Sequence, residues 1–327
     1  MKKKVFIAVI ALVVVGCLAF YWRYSSLHPS TDNAYIKAHV DQISSQVSGQ
    51  VSSVEVSDHQ EVTKGQLLFT LDSRPFEIAV TKAKAELDLT RQNIQSMQAQ
   101  ILSDKAMVRE RESQLQLAQK NNDRILALVA AGQSPVSAKD DAQTRLAVAQ
   151  SSLKVARQAL DKTQVELGNP GDMNAQLRQA KAVLAQAELD LQHTRVLAPA
   201  DGTIEKLSLR AGDAITEMQP QFVVIESKNW WVDANFKETD LSKIRVGQSV
   251  DVELDLYPGL KLHGKVADIS DGSGSSFSIL PPENATGNWV KVTQRFPVKI
   301  KFTQSLPVSK PLRMGASANV TVNASKA

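Results

Sequence analysis

The sequence predicts an α+β chain of four parts. They are an N-terminal transmembrane helix, a split β-sandwich, a long antiparallel coiled-coil hairpin inserted between the sandwich halves, and a β-barrel. Three observations predict it. Three lysines at the start precede one apolar run of eighteen residues, Val5 to Trp22. An apolar heptad then runs through a segment, Pro75 to Ala130, with no glycine and no further proline. The segments on either side of the helical region match each other at a shift of 153 positions.

Composition narrows the function classes. At roughly 150 residues per domain, the 327 residues correspond to about two domains. The balance of 38 basic and 34 acidic residues carries no nucleic-acid footprint. A single cysteine excludes an intramolecular disulfide framework and every multi-cysteine zinc pattern.

The apolar run covers about 27 Å at 1.5 Å per residue, near the minimum for a spanning helix. Tyr21, Trp22 and Tyr24 cluster at its far end, where aromatic rings favour the bilayer interface. The leading lysines place the N-terminus in the cytoplasm and everything after Arg23 on the outer side. Leu18 to Tyr24 offers no small-residue cleavage site for a signal peptide. Val14-Val15-Gly16-Cys17 resembles a lipoprotein processing site, with Cys17 as the acylated residue. Both readings leave the protein membrane-tethered.

Val80, Leu87, Ile94, Ile101, Val108 and Leu115 recur every seven residues, slip at Asn122 and return at Val129. Positions three further on are mixed: Ala83, Met97, Ala118 and Ile125, but also Asp104 and Arg111. This is a coiled-coil seam, and some 55 helical residues measure about 80 Å. Ala131-Gly132-Gln133-Ser134-Pro135 breaks the helix, with Ser137 as a candidate N-cap for the next one. The return arm carries Leu146, Leu153, Leu160 and Leu167, with Ala149 and Ala156 three further on. Gly168-Asn169-Pro170-Gly171 should kink or interrupt it before Leu177, Leu184 and Leu191. A helix pair this long with Phe76 as its one aromatic residue lacks the bulk for a globular core and reads as an extended hairpin.

At the 153-residue shift, Gly49 matches Gly202, Val51 matches Ile204, Phe69 matches Phe222 and Leu71 matches Val224. Each half is too small to bury a core alone, so the two should close one β-sandwich around the inserted hairpin. Beyond Trp230 the strand candidates are Trp231–Asn235, Ser249–Leu256, Lys261–Ile269, Val290–Phe302 and Ser317–Asn323, spaced as in a small barrel. Asp32 to Val40 is a candidate further strand for it. The expected segments are 1–24, cytoplasmic N-terminus and transmembrane anchor; 25–40, linker and barrel strand; and 41–74, first sandwich half. The hairpin follows at 75–195, the second sandwich half at 196–227 and the β-barrel at 228–327.

Several stretches carry a family resemblance. Thr31-Asp32-Asn33-Ala34-Tyr35 follows the anchor. Ser45-Gln46-Val47-Ser48-Gly49 and Val62 to Asp72 (VTKGQLLFTLD) lie in the first half, and Leu197-Ala198-Pro199-Ala200-Asp201-Gly202 in the second. Pro281 to Lys291 (PPENATGNWVK) is the most specific. In this order they resemble the HlyD family of periplasmic adaptors, or membrane fusion proteins, and within it the EmrA-type branch. The resemblance covers nearly the whole chain. It implies a lipoyl-like sandwich and an adaptor that joins an inner-membrane drug transporter of the major-facilitator type to a TolC-like outer-membrane channel. It also implies a homo-oligomer, trimer or hexamer, held in the bacterial inner membrane by a single pass. The family's hairpin tip contacts the channel through Arg, Leu and Ser. Arg124 and Leu128 keep the Arg-x-x-x-Leu spacing; Ser137 stands two positions beyond that pattern, with Ser134 as the alternative.

No catalytic, cofactor-binding or metal-binding residue is expected. The five histidines (28, 39, 59, 193 and 263) are scattered, without metal-ligand spacing. Asp271-Gly272-Ser273-Gly274 lacks the following Lys-Ser/Thr of a phosphate loop and reads as a turn. Lipoyl domains carry their modified lysine on the hairpin between the halves, which the coiled coil here replaces, so Lys64 reads as surface. Two alternatives stay open: an adaptor of an ABC-driven secretion system, and an envelope scaffold that binds no transporter.

Overall fold

The computed structural model describes residues 27–169, 171–274, 276, 292–304 and 310–324, together with residues 12, 16 and 23. The expected anchor over 1–24, Cys17 and the segment 281–291 therefore lie wholly or mostly outside the described residues. Among the described residues no helix is long and apolar enough to cross a membrane.

The first strands are β1 (Ser30–Lys37), β2 (Val40–Ser44), β3 (Gly49–Val54), β4 (Glu61–Val62) and β5 (Leu67–Leu71). Helices α1 (Arg74–Ala130), α2 (Val136–Leu167) and α3 (Ala175–His193) follow. Then come β6 (Arg195–Leu197), β7 (Gly202–Glu205), β8 (Ala214–Ile215), β9 (Pro220–Glu226) and β10 (Trp231–Lys237). A short α4 (Glu238–Leu241) precedes β11 (Ser249–Leu254), β12 (Lys261–Ile269), β13 (Arg295–Phe302) and β14 (Ser317–Val322).

The half-repeats interlock. One sheet has the order β2-β9-β7-β4 and the other β6-β5-β3-β8. Each sheet takes two strands from each half. Adding 153 to the positions of β2, β3, β4 and β5 lands on β6, β7, β8 and β9, and the same shift converts one sheet order into the other. The two sheets share one core, with Leu68, Phe69, Ile204 and Val224 almost wholly enclosed. Neither half has a core of its own.

The barrel closes in the order β1-β10-β13-β12-β11-β14. Its interior follows the period-two alternation: Val232, Ala234 and Phe236 of β10 point inward, as do Val298 and Ile300 of β13. The strand read from Asp32 to Val40 is β1, paired with β10 and β14. Several strand ends depart from expectation: β1 runs Ser30–Lys37 and Val40 opens β2 instead, while β10 continues past Asn235 to Lys237. The second predicted strand stops at Leu254, because Leu256 to Gly259 forms a turn in which the Leu260 N–H donates to the Tyr257 carbonyl. The fourth starts at Arg295, and residues 292–294 are not strand.

Helix α1, 57 residues, is about 85 Å long at 1.5 Å per residue. Val80, Ala83, Leu87, Ile94, Ile101 and Val108 are its buried apolar stripe. Ile94 and Ile101 cluster with Leu167 of α2 and Leu177 of α3, and Val108 clusters with Leu153 and Ala156 of α2. The polar departures from the heptad have partners or costs. The Thr163 hydroxyl donates to Asp104 Oδ2 at 2.8 Å, and Arg157 pairs across the seam with Glu112 at 2.8 Å. Asn122, 7% exposed, leaves its side-chain oxygen without a partner among the described residues.

The break after Leu167 interrupts the return arm. Gly168 takes φ +68°, a 3-10 turn spans Gly171–Met173, and α3 starts afresh. Asn174 splices the pieces: its Nδ2 donates to the Leu167 carbonyl at 2.6 Å, and its Oδ1 accepts the Leu177 N–H at 3.1 Å. It is 2% exposed. The cap expected of Ser137 is absent. Helix α2 begins at Val136 with Pro135 as N-cap, so Ser137 already lies inside the first turn, where its hydroxyl is beyond the capping position.

Candidate docking tip and the seam between the half-repeats

Both arms root in one sheet edge, because α1 leaves β5 and α3 enters its neighbour β6. The Leu71 N–H donates to the Thr194 carbonyl at 2.8 Å, holding the two roots together. Arg74 closes the outgoing root, with Nε on Asp72 Oδ1 at 2.9 Å and Nη2 on Asp72 Oδ2 at 2.7 Å. The Arg74 hydrogen bonds hold the Asp72 carboxyl below its ordinary range.

At the far end, Arg124 and Leu128 stand one turn apart on α1, four residues from each other and so on one face. Arg124 is exposed, and its guanidinium makes no hydrogen bond or ion pair among the described residues. Leu128 is half-buried, and its carbonyl accepts the Gln133 N–H at 2.9 Å. Ser137 is exposed in the first turn of α2, and Ser134 is half-buried in the connecting turn. Arg124, Leu128 and Ser137 flank one five-residue connection, Ala131 to Pro135, and Ser134 lies within it.

Sequence spacing did not foresee the polar seam between the half-repeats. Asp201 accepts the Lys64 N–H at 2.8 Å and the Lys228 ammonium at 2.7 Å. One carboxylate thereby joins the turn before β5, the turn before β7 and the link into the barrel. Lys228, followed by the Lys64 N–H, keeps the Asp201 carboxyl below its ordinary range. The role of Lys64 is thus carried by its backbone.

The fold also gathers Asp58, His59 and Glu205, with one ligand atom from each within 4.8 Å of the others. His59 Nδ1 lies 3.1 Å from Glu205 Oε2, and Nε2 lies 3.5 Å from Asp58 Oδ2. The two carboxylates lean on different nitrogens of an imidazole that is 70% exposed, which is the arrangement of a surface ion-pair cluster. Glu205 is 146 positions from His59, so no local spacing announces the group.

Residues 39–227 match the model of the RND MFP barrel-sandwich hybrid domain, and residues 229–323 that of the AAEA-like beta-barrel domain. The chain belongs to the membrane fusion protein family. The multidrug export protein EmrA of Escherichia coli strain K12 is 34% identical over 94% of this chain and 79% of its own length. The colistin resistance protein EmrA of Acinetobacter baumannii is 32% identical over 98% of this chain and 93% of its own. The resemblance to the EmrA-type branch therefore holds. Among solved structures, the membrane fusion protein Spr0693 of Streptococcus pneumoniae R6 shares the fold: TM-score 0.52 at 18% identity, covering 90% of this chain and 97% of that one.

Proposed function

We propose that this membrane fusion protein is the periplasmic adaptor subunit of a tripartite efflux pump. It links an inner-membrane transporter of the major-facilitator type to a TolC-like outer-membrane channel, for export of drugs or toxic compounds. The observation that carries this reading is the joint one of sequence and shape: relatives named for multidrug export, and an unbroken arm of about 85 Å rooted at one edge of a β-base. Residues 1–24 serve as a single inner-membrane pass with the N-terminus in the cytoplasm, and the bulk of the chain is periplasmic. The protomer acts as a trimer or hexamer, since one hairpin encloses no conduit. Arg124, Leu128 and Ser137 form the channel-docking tip. The protein turns nothing over; the partner's ion gradient supplies the energy.

Affinity purification of the tagged full-length protein from membranes tests the assignment. Recovery of a major-facilitator transporter and an outer-membrane channel is expected. Recovery of an ABC exporter instead would move the protein to a secretion system, and recovery of neither would leave an envelope scaffold.

A further inference from the structure

The hairpin is not held together evenly along its length. Toward the root, the stripe from Val80 to Val108 on α1 is buried, as are Leu153, Ala156 and Leu167 on α2. From residue 109 to residue 152, through both outer arms and their connection, one side chain is buried, and it is Asn122. The Asn122 side-chain oxygen has no hydrogen-bond partner and is the one such buried side-chain atom among the described residues.

The sequence accounts for the change. The α1 heptad runs Val108, Leu115 and then Asn122, and the α2 heptad, followed toward the tip, runs Leu153, Leu146 and then Lys139. Both apolar runs therefore turn polar one heptad beyond Leu115 and Leu146. Further out, Ile125 and Val129 are only half-buried. Polar contacts between the arms stop as well: Arg157 on Glu112, at 2.8 Å, is the outermost ion pair joining α1 to α2 among the described residues. A buried acceptor left unpaired raises the free energy of the closed hairpin, and water relieves it when the arms part. Few buried apolar contacts and one unpaired buried oxygen together put this region at the low end of local stability. The five-residue connection already fixes the register of the arms, so Asn122 is not needed to set it.

We propose that the hairpin beyond Glu112 and Arg157 is a separately opening unit, whose two arms part and rejoin while the seam below Val108 stays closed, with Asn122 setting the equilibrium. Opening changes the spacing between Arg124 on one arm and Ser137 on the other, so the tip conforms to the surface that it meets. Each parted arm is a helical segment of roughly twenty residues with its seam exposed, which is marginal in water, so parting shows as amide exchange. The proposal goes beyond the pump reading and does not depend on it, because the opening unit is complete within one chain.

Hydrogen exchange of the purified full-length protein in a non-ionic detergent, read by mass spectrometry, tests it. Wild-type peptides from 113–130 and 136–152 should exchange at least roughly tenfold faster than those from 80–108. Asn122→Leu, which replaces the unpaired oxygen with an apolar seam residue, should slow the outer peptides of both arms at least roughly tenfold and leave 80–108 within about twofold. Slowing on α2 is the decisive part, since a gain in helix propensity at residue 122 acts on α1 alone. Asn121→Leu, the same change at the exposed neighbouring position, should leave α2 exchange within about twofold of wild type. Should Asn122→Leu fail to accumulate, Asn122→Ala removes the oxygen without adding bulk and should slow α2 at least roughly threefold. Outer peptides as slow as the inner ones, unchanged α2 exchange in the Asn122 variant, or an equal effect of Asn121→Leu overturns the proposal. None of these outcomes touches the pump assignment, which purification of partners decides separately.

Discussion

Phe69 and Phe222, equivalent positions of the two half-repeats, pack against each other near edge-on, with ring centroids 6.0 Å apart and planes at 65°. Each ring is the other's image under the 153-residue shift, so the contact couples one half to the other where the two sheets share a core. Aromatic pairs at this separation contribute about 0.5–1.5 kcal/mol beyond the area they bury. A double-mutant cycle with Phe69→Leu and Phe222→Leu should show coupling of that size. Hydrogen exchange of the β5 and β9 amides reads it; additive single effects would show that the rings act independently.

The half-repeats are not equivalent at their glycines. A methyl on Gly202 would lie 2.4 Å from the Ile225 carbonyl oxygen and 2.7 Å from Val224 Cγ1, a backbone clash that no side-chain rotation relieves. A methyl on its counterpart Gly49 would meet only the Leu71 side chain, at 3.5 Å. Gly202→Ala should therefore cost at least about 2 kcal/mol, by separating β7 from β9, and Gly49→Ala less than about 1 kcal/mol. Melting temperatures of the two variants, compared under one condition, check the order.

Asp201 makes stability depend on pH in one direction. Its carboxyl is held below the ordinary 3.8 by Lys228 and the Lys64 N–H, so the folded chain binds fewer protons than the unfolded chain around that pH. Its contribution is complete above the unfolded pKa and disappears as pH falls through the folded one. Asp201→Asn should melt lower than wild type at pH 7, and the gap should close as the pH falls below 3.8 and the carboxylate protonates. A gap that persists unchanged into acid would show that charge is not its source; the Lys64 N–H hydrogen bond survives in the variant, because an amide oxygen also accepts it.

Much of this molecule is local and therefore legible. Helix α1 announces itself because Val80, Leu87, Ile94, Ile101 and Val108, all buried, follow one another at heptad intervals, and the connection at Ala131–Pro135 contains the residues that break helices. The shifted matches identify the paired halves for the same reason: inward positions of a strand alternate. What escaped depends on pairing at long range. Nothing near Asp201 in sequence marks Lys64, 137 positions away, as its partner. Apolar alternation says that two halves share a core but not that each sheet takes two strands from each half. Ser137 looked like a cap because serine before a helix usually is one, but the fixed φ of Pro135 starts the helix two residues earlier. The tip is the least legible part. Arg124 and Leu128 rest on a family spacing, because a docking contact leaves no periodicity of its own in the helix that carries it.

The tip gives the most direct test of function. Arg124 is exposed, and both it and Leu128 lie at the end of α1 away from the β-domains, so their substitution should leave folding nearly intact. Exposed changes usually cost within about 0.5 kcal/mol, and the half-buried Leu128 somewhat more. Arg124→Asp replaces a planar five-donor cation with an acceptor-only acid, which removes hydrogen bonds to carbonyl or carboxylate groups of a channel and adds repulsion to any acidic ones. Leu128→Asp strips the apolar contact from the same face. The double variant should accumulate normally and still purify with the inner-membrane transporter, yet lose both drug resistance and cross-linking to the outer-membrane channel. Ser137→Ala should do less: with no cap to lose, its effect on stability is small, and any loss of resistance it causes reports on contact alone. A double variant that keeps full resistance at wild-type abundance would move the docking surface away from this tip. The exposed flank of the return arm, where Val148 and Val155 stand two turns apart, would then be the next surface to mutate.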